Sequence, residues 1–81
     1  MRPRFSERFV RSYDSAPAEI QPAFDRKLPL LLENLRHPSL RAKKYDETYG
    51  LWQARVTRGW RFYFTIDGDV DRLHDITAHP K

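Results

Sequence analysis

The 81-residue chain has no cysteine, only three glycines and a single methionine. Without cysteine there can be no disulfide scaffold, no thiolate-bound metal and no cysteine nucleophile, and a small domain is left without covalent cross-links. Apolar runs are also scarce. None exceeds three residues, as at Leu30-Leu31-Leu32, against the roughly 18–20 needed to cross a bilayer. Met1-Arg2-Pro3-Arg4 is basic, but no apolar stretch follows it as a signal peptide requires. The expectation is a cytoplasmic protein with no membrane partner. Gly50, Gly59 and Gly68 read as turn glycines rather than as a phosphate-binding loop. His37, His74 and His79 have neither HxH nor HExxH spacing, so no metal and no cofactor are expected.

Aromatic side chains are abundant: 5 Phe, 4 Tyr and 2 Trp. Each removes about 150–250 Å² from water when buried, so a packed core is expected although 32% of residues are charged and the mean hydropathy is −0.79. The length suits one domain, residues 1–81, burying roughly 60% of its unfolded surface. A net charge of +4 and a pI near 9.8 point to a polyanionic or acidic partner. The charge is unevenly placed. Arg36 to Arg61 holds Arg36, Arg41, Lys43, Lys44, Arg55, Arg58 and Arg61 against Asp46 and Glu47, whereas Phe62 to Asp75 holds four aspartates against Arg72.

An extended segment is expected at residues 2–5. A helix over about 6–14 follows, with Ser6 as N-cap and Phe5, Phe9 and Tyr13 at helical spacing. Pro17 suits the first position of a second helix and Glu19 the third. That helix carries Ile20, Phe24, Leu28, Leu31 and Leu35 in one apolar stripe. Pro29 interrupts it, predicting a kink or two pieces, roughly 18–27 and 29–36, ended by His37-Pro38. Beyond Pro38 the period becomes two. Leu51 to Thr57 places Trp52, Ala54 and Val56 opposite Gln53, Arg55 and Thr57. Trp60 to Ile66 places Trp60, Phe62, Phe64 and Ile66 opposite Arg61, Tyr63 and Thr65. The link Thr57-Arg58-Gly59 is hairpin-sized, with Gly59 expected at positive φ. Val70 to Thr77 is a third strand in which Val70, Leu73 and Ile76 fall three apart, predicting a bulge or a weakly buried edge. The fold class is α+β: β-α-α-β-β-β, an antiparallel sheet with two helices packed on one face.

If the apolar positions face the helices, Arg55, Arg61 and Tyr63 project from the other face. Two arginines on neighbouring strands beside an aromatic resemble a phosphate-binding surface with a stacking platform. Lys43 and Lys44 would rim it, and His79 would reach over it. The competing reading is that the arginines serve solubility or pair across strands with Asp75. On that reading His79 is an exposed end residue. Tyr45 and Tyr49 read as packing residues around the loop.

The run His37-Pro38-Ser39-Leu40-Arg41-Ala42-Lys43-Lys44, then Gly50-Leu51-Trp52-Gln53-Ala54-Arg55-Val56, then Trp60-Arg61-Phe62-Tyr63-Phe64 resembles the RelE/ParE toxin superfamily. The resemblance covers nearly the whole chain. It implies a microbial-ribonuclease-like fold and the toxin of a type II toxin–antitoxin pair, a metal-independent endoribonuclease acting on ribosome-bound mRNA. An acidic cognate antitoxin would be its partner. Arg55 and Arg61 match basic strand positions that hold the scissile phosphate. His79 matches a C-terminal histidine that transfers a proton, for which an ordinary imidazole pKa of about 6.5 is suited. Lys43, Lys44, Arg58 and Tyr63 would contact RNA or ribosome. The chain departs from the pattern at Gln53, where one group of relatives has lysine, and in having no tyrosine after His79. The second proton-transfer group stays open between Glu47 and His74. The alternatives are a ParE-like inhibitor of DNA gyrase without nuclease activity and an inactive nucleic-acid-binding relative.

Overall fold

The computed structural model describes residues 1–79; Pro80 and Lys81 lie outside the described residues. The elements run β1 (Arg2–Phe5), α1 (Glu7–Ser15), α2 (Ile20–Glu33), a 3-10 turn (Pro38–Leu40), β2 (Lys43–Asp46), β3 (Leu51–Thr57), β4 (Trp60–Asp67) and β5 (Val70–Ala78). The strands form one sheet in the order β1-β5-β4-β3-β2. The α+β class and the helix pair are as expected, but the sheet differs in two respects. A fifth strand, β2, pairs antiparallel to β3, and β1 pairs parallel to β5, so the sheet is mixed. β1 and β5 are separated by both helices and three strands, so no tight turn forces them antiparallel.

Local chemistry explains the helix limits. Ser6 Oγ accepts the Phe9 N–H at 3.0 Å and donates to the His74 carbonyl at 3.1 Å, so one side chain caps α1 and ties it to β5. The second helix starts three residues later than Pro17 suggests, because the Pro17 carbonyl closes a turn on the Ile20 N–H at 2.9 Å. Pro29 does not divide it: α2 runs unbroken through Pro29 and ends at Glu33. Pro29 and Asp25 are both exposed, so the Asp25 carbonyl that loses its partner can be hydrated. His37-Pro38 is not the terminator; His37 caps the following 3-10 turn, its Nδ1 accepting the Ser39 N–H at 3.2 Å.

The helices cover one face of the sheet. Phe9, Ile20, Phe24 and Leu31 meet Ala54, Val56, Phe62, Phe64, Leu73 and Ile76, all buried. Phe24 meets Phe62 edge-on, with ring centroids 5.2 Å apart. The expected bulge in β5 is present: one step along β4, Tyr63 to Phe64, spans two along β5, Asp75 to Leu73. The bulge lets Leu73 and Ile76, three apart, face the same side; β5 is an interior strand, not an edge. Asp71 is fully buried on β5 with no partner for either carboxylate oxygen among the described residues. Burial pushes its pKa above the ordinary carboxylate range, an effect the Met1 ammonium partly offsets. Gly59 does not adopt positive φ; Gly50 (63°), Gly68 (61°) and Arg41 (46°) do. No helix among the described residues is long and apolar enough to cross a membrane.

Candidate nucleic-acid interface

The uncovered face of the sheet carries the polar half of each alternating strand. Arg55 and Arg61 are direct cross-strand partners, an arrangement that is unfavourable for like charges. Beside them lies a cavity of about 290 Å³ lined by Arg41, Lys43, Gln53, Arg55, Arg61 and His79. Five of the six lining residues are basic or imidazole, and none is acidic. Among the described residues the ion pairs involve Arg2, Arg11 and Arg72 only, so the cavity cations are unneutralised.

The two central arginines are held differently. Arg55 Nε is buried and has no hydrogen-bond partner among the described residues. Desolvation, then the Arg41, Arg61 and Arg58 charges, pull the Arg55 guanidinium below the ordinary arginine range. Arg61 has a structural task as well. Its Nη1 donates to the carbonyls of Thr57 (2.8 Å), Trp60 (2.9 Å) and Arg58 (3.1 Å), clasping the β3–β4 turn. The same charge field extends to α2. Lys27 donates to the Ser39 carbonyl at 3.1 Å, and its pKa is lowered by burial, then by Arg55 and Arg26.

The structure brings Arg55, Arg61, Lys43 and His79 to one cavity, as the alternation and the resemblance led one to expect. His79 is exposed and anchored by its backbone N–H, which donates to the Gly59 carbonyl at 2.7 Å. Lys44 is not part of the rim. It pairs with Trp52 in register and its Nζ sits 5.3 Å from the indole centroid on the helix-side face. Arg58 lies exposed in the turn and contributes charge without lining the cavity. Tyr63 stands beside the cavity, its hydroxyl accepting from Gln53 Nε2 at 3.1 Å. Asp75 does not pair with the arginines; it accepts from Ser12 Oγ at 2.6 Å, and Thr77 is the residue opposite Arg61. Neither Glu47 nor His74 lines the cavity; His74 Nε2 lies 2.8 Å from Thr65 Oγ1. Tyr49 is 77% exposed and does not act as a packing residue; Tyr45 is 60% exposed, with its ring against Tyr63.

Two lining residues were not anticipated. Arg41 ends the 3-10 turn in the left-handed conformation, a strained setting for a residue other than glycine. Gln53, which stands where one group of relatives has lysine, is buried and braces Tyr63. Recognising β2 as a strand would have separated Lys43 from Lys44 and placed Arg41 on the side of Lys43.

Comparison with known proteins locates this fold. No protein-family profile matches the sequence, and no curated protein matches it. Solved structures do. The YoeB/ParE toxin from Agrobacterium tumefaciens superposes with a TM-score of 0.81 at 13% identity, covering 99% of this chain and 100% of the other. YafQ from E. coli strain BL21(DE3) gives 0.80 at 16% identity, covering 98% and 94%. The RelB-RelE antitoxin-toxin complex from Methanococcus jannaschii gives 0.76 at 16% identity, covering 91% and 87%. The architecture is therefore that of the RelE/ParE-type toxins.

Proposed function

We propose that this chain is the toxin of a type II toxin–antitoxin pair and that it cleaves mRNA at the ribosome, with the cationic cavity as its active site. The observation that carries the reading is the Arg55–Arg61 pair: two arginines opposite one another on neighbouring strands, both lining the cavity and without a counter-ion among the described residues, one with a buried donor left free. Such an arrangement costs stability and gains a partner when an anion enters. A phosphate diester supplies acceptors for both planar donors.

In the proposed reaction a base removes the proton of the ribose 2′-hydroxyl. The 2′-oxygen bonds to the adjacent phosphorus, and the bond from phosphorus to the 5′-oxygen breaks as that oxygen takes a proton. The products are a cyclic 2′,3′-phosphate and a free 5′-hydroxyl. Arg55 and the uncommitted nitrogens of Arg61 stabilise the charge that builds on the non-bridging oxygens. His79 is the proton-transfer group of the cavity. Arg41 and Lys43 hold flanking phosphates, and the net charge favours an acidic antitoxin as partner.

Primer extension on a defined mRNA, with and without translating ribosomes, tests the reading. Ribosome-dependent cuts reduced by about 100-fold or more in Arg55→Gln, the usual scale for removing one transition-state donor, would support it. Arg55 is the more discriminating position, because Arg61→Ala also releases the turn. A folded Arg55→Gln variant with undiminished cutting, or wild type with no cutting in either lane, would overturn the nuclease reading; a gyrase supercoiling assay would then be the next experiment.

A further inference from the structure

The uncovered face has a second feature, adjoining the cationic cavity and not accounted for by phosphate binding. Tyr45 belongs to the edge strand β2, whose other residues are Lys43, Lys44 and Asp46. It is the extra residue of a bulge: Lys44 pairs with Trp52 and Asp46 with Leu51, leaving Tyr45 without an opposite number. Bulges re-aim side chains beside functional sites. Here the ring lies against Tyr63, centroids 5.1 Å apart and planes at 68°. The two rings pack edge to face, and 60% of Tyr45 remains in water. Tyr63 is fixed by Gln53, which itself lines the cavity. Along β4, Tyr63 is two residues from Arg61 and on the same face, a separation of about 6.6–6.8 Å.

We propose that the Tyr45–Tyr63 pair is a nucleobase subsite, in which the base of the nucleotide adjoining the bound phosphate stacks on the exposed ring of Tyr45. The inference rests on the reading that the cavity binds RNA. An exposed aromatic held on a rigid neighbour is suited to stacking, which is worth about 1–3 kcal/mol per base and tolerates any sequence. Because stacking strength grows with ring size, the subsite favours purines over pyrimidines. Tyr45 is thus a positioning residue: it orients the nucleotide whose phosphate the arginines hold.

The test uses the full chain and fluorescein-labelled 2′-O-methyl RNA trimers, which cannot be cleaved, either all-adenosine or with the bases removed. Wild type is expected to bind the adenosine trimer about tenfold more tightly than the abasic one. Tyr45→Ala removes that difference and leaves abasic binding unchanged; Tyr45→Phe retains it. Arg55→Gln weakens both trimers alike. Equal binding of the two trimers by wild type overturns the subsite while leaving the phosphate cavity intact. Equal weakening of both by Tyr45→Ala also overturns it, because a structural role alone would have that effect. Preserved discrimination without dependence on Arg55 supports the subsite and removes the phosphate cavity. Binding of neither trimer overturns both readings.

Discussion

The two faces of the sheet are built by opposite rules from the same strands. On the helix-covered face, Ala54, Val56, Phe62, Phe64, Leu73 and Ile76 pack together, and Asp71 is the buried charge left without a hydrogen-bond partner there among the described residues. On the uncovered face, Arg55 faces Arg61, a buried Nε lacks an acceptor among the described residues and Tyr45 stands in water. Removing an atom from the first face leaves a void, whereas removing a charge from the second relieves a repulsion. The comparison separates residues that hold the fold from residues that the fold holds in place at a cost in stability.

The largest effect that probes this contrast is on the covered face. Phe62 is fully buried between Phe24 and Phe64, and Phe62→Ala is expected to cost about 3–5 kcal/mol. That is much of the roughly 4–12 kcal/mol available to a chain of this length. Urea unfolding followed by far-UV circular dichroism would measure it, and a loss below 1 kcal/mol would mean that the face is loosely packed. The two arginines sharpen the comparison, because they should move in opposite directions. Arg61→Ala loses the clasp on three turn carbonyls and is expected to cost about 1 kcal/mol. Arg55→Met keeps the packing, removes the like charge and the unpartnered donor, and raises Tm by a few degrees. If both variants lost stability equally in a thermal melt, the uncovered face would be structural after all.

The smallest effect concerns the exception on the covered face. The Asp71 carboxyl titrates above its unfolded value, so the folded state binds the extra proton between the ordinary aspartate pKa and the raised one. Stability should therefore fall as pH rises through that window, and the ionised form burdens the fold at neutral pH. Asp71→Asn, which imitates the protonated carboxyl, is expected to raise Tm at pH 7 and leave it nearly unchanged at pH 3.5. A gain of equal size at both values would assign the effect to something other than ionisation.

Legibility in the sequence followed the same division. The bounds of β3 and β4 could be read because Trp52, Ala54, Val56, Phe62 and Phe64 alternate against polar neighbours, and burial on one face imposes that period. The β5 bulge was visible as the three-residue spacing of Leu73 and Ile76. β2 was not visible, since an edge strand of Lys-Lys-Tyr-Asp has no buried face to create a pattern and its charges serve to discourage pairing with other chains. The placement of Lys44 on Trp52 and the exposure of Tyr45 were lost with it. Arg55, Arg61 and Lys43 could be anticipated from alternation and resemblance. The left-handed Arg41 and the brace from Gln53 to Tyr63 depend on tertiary contacts that no local pattern encodes.

The parallel pairing of β1 with β5 has a consequence for synthesis. β1 is made well before β5, yet Arg2 to Phe5 lie beside Val70 to Leu73, and the cap on α1 leans on the His74 carbonyl. The intervening chain from Ser6 to Asp69 must emerge before the sheet can close, an ordering that slows folding. A copy not yet extended to Val70 lacks an interior strand and the histidine that follows it. Assembly of the cavity is therefore timed by translation itself: no nascent fragment that stops short of β5 carries a complete site.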